Sequence, residues 1–291
     1  MLKLRDGIVE LYKKVATSIP KDVEDALKLA CSQETDPHAR ESLAQIVKTI
    51  AAARVEARPV CEDTGFPVFL VRVPKGLSQQ HVREVILEAT RAATKKIPLR
   101  PNAVDPLSGT NSGDNVGDHF PLIYTEESQD NSLVVDLMLR GGDCESLGRT
   151  YVLPALIDGP GCGVPEHERR VAERDLAGVR RCVDDAVEKA LGKVCLPFFL
   201  GVAIGGARDQ VAYLSRRQLL RRVNDRNADE TMSELENSFL QDINALRAVS
   251  GEAPRTVAIG VKVAVAHHHP SSFLVDVSLS CWAHRRGRLI W

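Results

Sequence analysis

Residues 59–78 read PVCEDTGFPVFLVRVPKGLS, and the change of pattern inside that stretch decides the fold class. Before it the period is helical. Ile8, Val9, Leu11, Tyr12 and Val15 share one face, the pattern breaks at Ile19-Pro20, and it resumes over 22–33 and 39–56. Asp36-Pro37 suits a helix start, with the aspartate as cap and the proline at the first helical position. Phe66 to Val73 then turns β-branched and aromatic between Gly65 and Pro74, the composition of a buried strand. Ser78 can cap a following helix whose Val82, Val85, Ile86, Ala89 and Ala93 line one face.

Further along, residues 98–117 are rich in Pro, Gly, Asn and Asp, and a loop that long is often functional. A strand is expected over 133–139, ending at Arg140-Gly141-Gly142, where glycines permit unusual backbone geometry. A loop containing Gly159, Pro160, Gly161, Gly163 and Pro165 precedes a helix expected over 166–191, with Cys182 on its apolar face. Then come a strand over 197–204, the turn Gly205-Gly206, helices across 211–223 and 232–246, and strands over 257–266 and 273–279 flanking a His-Pro corner. Strands and helices mix without regular alternation, which predicts an α+β fold. The expectation is one domain over 1–291, in which a helical part, 1–58, packs on a mixed α+β part, 59–291.

The 291 residues are 44% hydrophobic and 26% charged, as in ordinary globular proteins. Lys+Arg 38 against Asp+Glu 39 leaves a net charge of -1, so no excess positive charge is available for nucleic acid or anionic lipid. The apolar run from Val257 to Ala266 is broken by Gly260 and Lys262 and is too short to span a bilayer. The first residues interleave apolar and charged side chains rather than forming a secretory core, and a cytoplasmic protein is expected. Seven scattered cysteines without an export signal argue against a disulfide framework and leave thiols or metal ligands.

Cys61, Cys195 and Cys281 each lie at an expected strand edge or turn, where a thiolate can point into a cleft. Three thiolates can hold a cubane iron–sulfur cluster while one iron stays open as a Lewis acid. Spacing alone fits core cysteines as well, since no CxxC pair is present. His267-His268-His269 invites a zinc reading, but strand alternation sends neighbouring side chains to opposite faces.

Six motifs in one order carry a resemblance. They are Cys61-Glu62-Asp63-Thr64-Gly65, Leu99-Arg100-Pro101-Asn102, Asn111-Ser112-Gly113-Asp114-Asn115, Gly201-Val202-Ala203-Ile204-Gly205-Gly206, His269-Pro270-Ser271-Ser272 and Cys281-Trp282-Ala283-His284-Arg285-Arg286; Gly141-Gly142 match the first two glycines of a further family segment. The chain resembles, over nearly its full length, the alpha subunits of two-subunit class I fumarases and L-tartrate dehydratases. That resemblance implies a hydro-lyase acting on a small dicarboxylate, with a 4Fe-4S cluster on Cys61, Cys195 and Cys281. It makes Asp63 and His269 catalytic, and Glu62, Thr64, Arg100, Gly141 and Gly142 substrate-binding. Cys31, Cys162 and Cys182 match no ligand position. The resemblance further implies a swivelling domain for which the residues after Arg286 are too few, so a separate beta subunit is expected, in a heterotetramer of two alpha and two beta chains. One segment departs from the family: Asp143 and Cys144 stand where glycine and serine are usual. An alternative reading follows from that departure, a regulatory or assembly subunit that keeps the fold without turnover.

Overall fold

The computed structural model describes residues 2–157, 170–245 and 256–291. They form eight helices and ten strands, α1 (Leu2–Thr17), α2 (Lys21–Gln33), α3 (Pro37–Glu56), β1 (Phe66–Val73), α4 (Gln79–Lys96), β2 (Leu122–Glu127), β3 (Val134–Arg140), α5 (Gly142–Leu147), β4 (Arg149–Leu153), β5 (Ala155–Ile157), β6 (Arg170–Ala172), α6 (Leu176–Ala190), β7 (Phe198–Gly205), α7 (Arg208–Gln218), α8 (Glu230–Ala245), β8 (Ala258–Ala266), β9 (Phe273–Ser280) and β10 (Arg285–Ile290). The class is α+β, with mixed parallel and antiparallel pairing. Two compact units divide the chain, one made of residues 1–20, 48–142 and 283–291, the other of 21–47 and 143–282. No helix among the described residues is long and apolar enough to cross a membrane.

In the first unit the sheet order is β10-β3-β1-β2, with β1 parallel to β2 and antiparallel to β3. The run that read as a buried strand is the centre of this sheet: Phe69 and Val71 are fully buried against α1 and α4. Each such side chain contributes about 1.5–3 kcal/mol of hydrophobic stabilisation. Tyr12 of α1 meets Phe69 edge-on at 5.7 Å between ring centroids, and its hydroxyl lies 2.8 Å from Thr90 Oγ1 of α4. Burial pushes that phenol's pKa upward, so it stays protonated. The Ser78 cap forms as read, accepting from the His81 amide at 3.3 Å, and Asp36 caps α3 by accepting from the Ala39 amide at 2.8 Å.

The second unit carries the sheet β4-β9-β7-β8, with β7 parallel to β8 and antiparallel to β9. Strand alternation divides β7 between two layers. Phe198, Leu200 and Val202 pack with α6 and α8, while Ala203 packs with Val211 of α7. Gly201 faces α7 so closely that a Cβ would lie 2.0 Å from the Ser215 carbonyl oxygen, which is why only glycine fits there. Lys262 and Glu236, both buried, are joined to Asp225 and Arg221 in one charge-compensated cluster.

Several boundaries differ from the sequence reading. The helix expected from 166 begins at Leu176, where Asp175 accepts from the Gly178 amide at 2.7 Å, and Arg170–Ala172 instead pairs as a strand with Ala155–Ile157. The loop glycines and prolines over 159–165, Cys162 and Leu246 fall outside the described residues. Arg140-Gly141-Gly142 leads directly into α5 rather than forming an open turn. Strands β2, β4, β5 and β10 had no counterpart in the sequence reading.

Candidate functional site

The Cys61–Gly65 loop leads into β1, and its conformation is fixed almost wholly by hydrogen bonds to main chain. Asp63 Oδ1 accepts from the Gly65 amide at 2.8 Å, an Asx turn, and Oδ2 accepts from the Gly142 amide at 2.9 Å. Both carboxylate oxygens thus serve as a clasp between the loop and the start of α5. The Thr64 hydroxyl, buried, accepts from the Arg100 amide at 2.9 Å. Gly65 has φ +73°, and a Cβ there would lie 2.6 Å from the Arg140 carbonyl oxygen. Glycine is required by both dihedral and space.

The loop over 98–117 is ordered by asparagines. Asn102 Nδ2 donates to the Gly65 carbonyl at 2.8 Å, while its amide donates to Asn115 Oδ1 at 2.6 Å. Asn115, buried and at φ 59°, also donates through Nδ2 to the Arg100 carbonyl at 2.9 Å and to Thr94 Oγ1 at 3.1 Å. Asn111 Nδ2 holds the Pro101 carbonyl at 2.8 Å. The main chain of Arg100 is therefore pinned on both sides, and its guanidinium projects outward to pair with Glu62. With side chains 57% and 81% exposed, that pair adds little to stability, so both groups are available for another task.

Cys61 and Cys281 are half-buried and Cys195 is exposed, and all three are thiols rather than disulfides. Cys195 stands three residues before β7, and Cys281 directly follows β9. Cys144 and Cys182 are buried, and Cys182 has its pKa pushed up to about 12 by burial first and by Asp185 and Asp184 second. Among the described residues no three His, Cys, Asp or Glu side chains form a gathered metal-binding group. The histidine run follows β8 rather than lying in a strand: His268 lies 4.9 Å from the Phe273 ring, and His269 Nδ1 accepts from the Ser271 amide at 3.1 Å. A neutral His269 consequently carries its proton at Nε2.

Sequence reasoning missed Arg174. Its guanidinium donates to the Leu153 carbonyl at 2.9 Å, to Pro270 at 3.3 Å and to Ser271 at 3.4 Å, tying down the turn that bears His269. Arg285 was quoted within a motif but given no role. It is buried, and its Nη1 donates to the Asp63 carbonyl at 2.8 Å. No periodic pattern marks an arginine that binds carbonyls from afar, so neither contact was legible.

The comparisons with known proteins agree with these motifs. The family model for fumarate hydratase (Fumerase) matches residues 5–289. The chain is similar to "Putative fumarate hydratase class I" of Geobacillus stearothermophilus, at 38% identity over 98% of this chain and 54% of that one. It is also similar to "Putative L(+)-tartrate dehydratase subunit alpha" of Methanocaldococcus jannaschii, at 30% identity over 98% and 96% of the two chains. The L(+)-tartrate dehydratase subunit alpha of Escherichia coli strain K12 is 28% identical over 99% and 90%. The chain therefore spans about half the length of the Geobacillus protein and nearly all of the other two. With a model matching almost every residue and relatives named for hydro-lyases, the chain belongs to the fumarate hydratase (Fumerase) family.

Proposed function

We propose that this chain is the alpha subunit of a two-subunit hydro-lyase that reversibly adds water across the double bond of a small dicarboxylate, fumarate to malate, or dehydrates tartrate. The observation that carries the reading is the presentation of Arg100: a main chain locked by Thr64 and Asn115 holds out a guanidinium whose recorded side-chain contact is the exposed Glu62. A guanidinium so placed suits bidentate capture of a carboxylate. Glu62, Thr64, Gly141 and Gly142 complete the proposed binding set, Gly142 through an amide that Asp63 holds in the resting protein. Asp63 orients substrate or serves as an acid beside Cys61, and His269 holds a proton at Nε2.

Cys61, Cys195 and Cys281 would hold a 4Fe-4S cluster. Their chemistry suits it, three thiols outside the packed cores, whereas Cys144 and Cys182 are enclosed. Such a cluster, when bound, supplies a Lewis acid at the iron without a protein thiolate. A beta chain completes the site, as the relatives' name "subunit alpha" suggests, and a cytoplasmic heterotetramer of two alpha and two beta chains remains the proposed assembly. The second reading, a subunit without turnover, is favoured by Asp143 and Cys144 alone.

The test is anaerobic reconstitution with iron, sulfide and the beta chain, followed by kinetics on fumarate, malate and tartrate. Arg100→Lys should lose about 2–4 kcal/mol of transition-state stabilisation, roughly thirty- to thousand-fold in kcat/KM, with iron content unchanged. Wild-type kinetics in that variant would remove Arg100 from the site, and a fully loaded assembly that turns over none of the three would favour the second reading.

A further inference from the structure

The peptide group that joins Pro270 to Ser271 is held at both ends. Ser272 donates its amide to the His269 carbonyl at 2.8 Å, which makes residues 269–272 a β-turn with Pro270 and Ser271 at its centre. Inside that turn the Ser271 N–H donates to His269 Nδ1 at 3.1 Å, while the Pro270 carbonyl of the same peptide group accepts from Arg174 Nη1 at 3.3 Å. The guanidinium also donates to the Ser271 carbonyl at 3.4 Å and to the Leu153 carbonyl, at the end of β4, at 2.9 Å. Among the described residues its hydrogen bonds therefore all end on main chain, and they fasten the turn to a strand of the same unit.

The central peptide of a β-turn is the one whose rotation separates the common turn types. Rotated here, it would aim a carbonyl oxygen instead of an N–H at the imidazole. Nδ1 would then have to carry the proton, leaving Nε2 bare, because the bond made by one ring nitrogen decides the state of the other. A cation on the Pro270 carbonyl opposes that rotation, and it polarises the peptide so that its N–H is a stronger donor to Nδ1. We propose that Arg174 is a positioning residue, which acts through this one peptide group to keep His269 in the tautomer with its proton at Nε2. The proposal rests on the function above, in which His269 holds that proton for the reaction.

The test is long-range proton–nitrogen NMR on the full chain labelled in its histidines, at a pH where the rings are neutral, with His269→Gln assigning the signal. The nitrogen shifts distinguish the two neutral tautomers, and wild type should show the Nε2–H form. Arg174→Met keeps the stem and removes the fork, and it should raise the Nδ1–H population several-fold. Arg174→Lys keeps the charge without the planar fork and should fall between the two. In the reconstituted assembly with the beta chain, Arg174→Met should lower kcat several-fold with KM little changed. An Nδ1–H signal in wild type, or a tautomer that neither variant moves, would overturn the proposal. So would failure of both variants to fold, which is the result a merely structural arginine gives. A shifted tautomer with unchanged kcat would instead remove His269 from the function proposed above, and an assembly without turnover would remove that function, while the NMR result still decides what Arg174 does.

Discussion

The two four-stranded sheets share one pairing scheme. β1 and β7 each run parallel to the next sheet strand, β2 and β8, and antiparallel to β3 and β9, beyond which β10 and β4 close the order. A candidate cysteine precedes each central strand, Cys61 before β1 and Cys195 before β7. The approaches to those strands differ. Before β1 the loop is braced by Asp63, Thr64 and Asn102, whereas Cys195 reaches β7 through two residues and lies exposed. The same sheet plan thus carries its precision in hydrogen-bonded loops in one unit and in close helix packing, at Gly201 and α7, in the other.

Substitutions can break that contrast. The largest effect is expected for Gly201→Ala, whose Cβ must displace α7 from β7 because the Ser215 carbonyl oxygen is 2.0 Å away. A loss of about 3 kcal/mol or more follows, read as a lowered midpoint in urea. Asn115→Ala comes next. It removes acceptor and donor for the main chain on both sides of Pro101 and should cost about 1–3 kcal/mol, with increased proteolysis confined to the 98–117 loop. Cleavage elsewhere would show that the loop does not depend on this side chain.

Thiol chemistry sharpens the comparison without mutation. Iodoacetamide on the native apo chain should label Cys195 first and Cys144 and Cys182 last, by peptide mass spectrometry. Cys182 also gives a pH dependence: folded, it keeps its proton to about 12, whereas the unfolded thiol ionises near its ordinary value of 9.0. Its contribution to stability is full below 9.0 and is lost as pH rises from there toward 12. Cys182→Ala should flatten that alkaline limb of the stability profile. The smallest effect is expected from Glu62→Gln, which leaves Arg100 without its exposed partner and should change stability by under about 1 kcal/mol.

Legibility followed burial. β1 was readable because Val68 through Val71 are buried on both faces and carry the β-branched and aromatic residues that such a place selects. β2, Leu-Ile-Tyr-Thr-Glu-Glu, is an edge strand with every position partly or fully exposed, and β10 has three arginines in six residues. Neither has an alternation that separates it from loop. The α6 face was legible from Val179, Cys182, Val183 and Ala186, but not its start, which depends on the Asp175 cap and on the pairing of β6 with β5. At the candidate site, residue types could be named in advance and partners could not. That Asp63 would close on Gly142, and Arg100 on Glu62, depends on chain segments far apart in sequence.

β10 pairs with β3, yet residues 143–282, most of the second unit, lie between them in the chain. On a ribosome, β1, β2 and β3 emerge early but cannot gain their fourth strand, or the Arg285 contact to Asp63, until the second unit has been synthesised. The first unit thus has to wait with one flank of β3 open to mispairing. The order of maturation is set by topology: the second unit can fold from a nearly continuous stretch, and the loop that carries Cys61 is completed last.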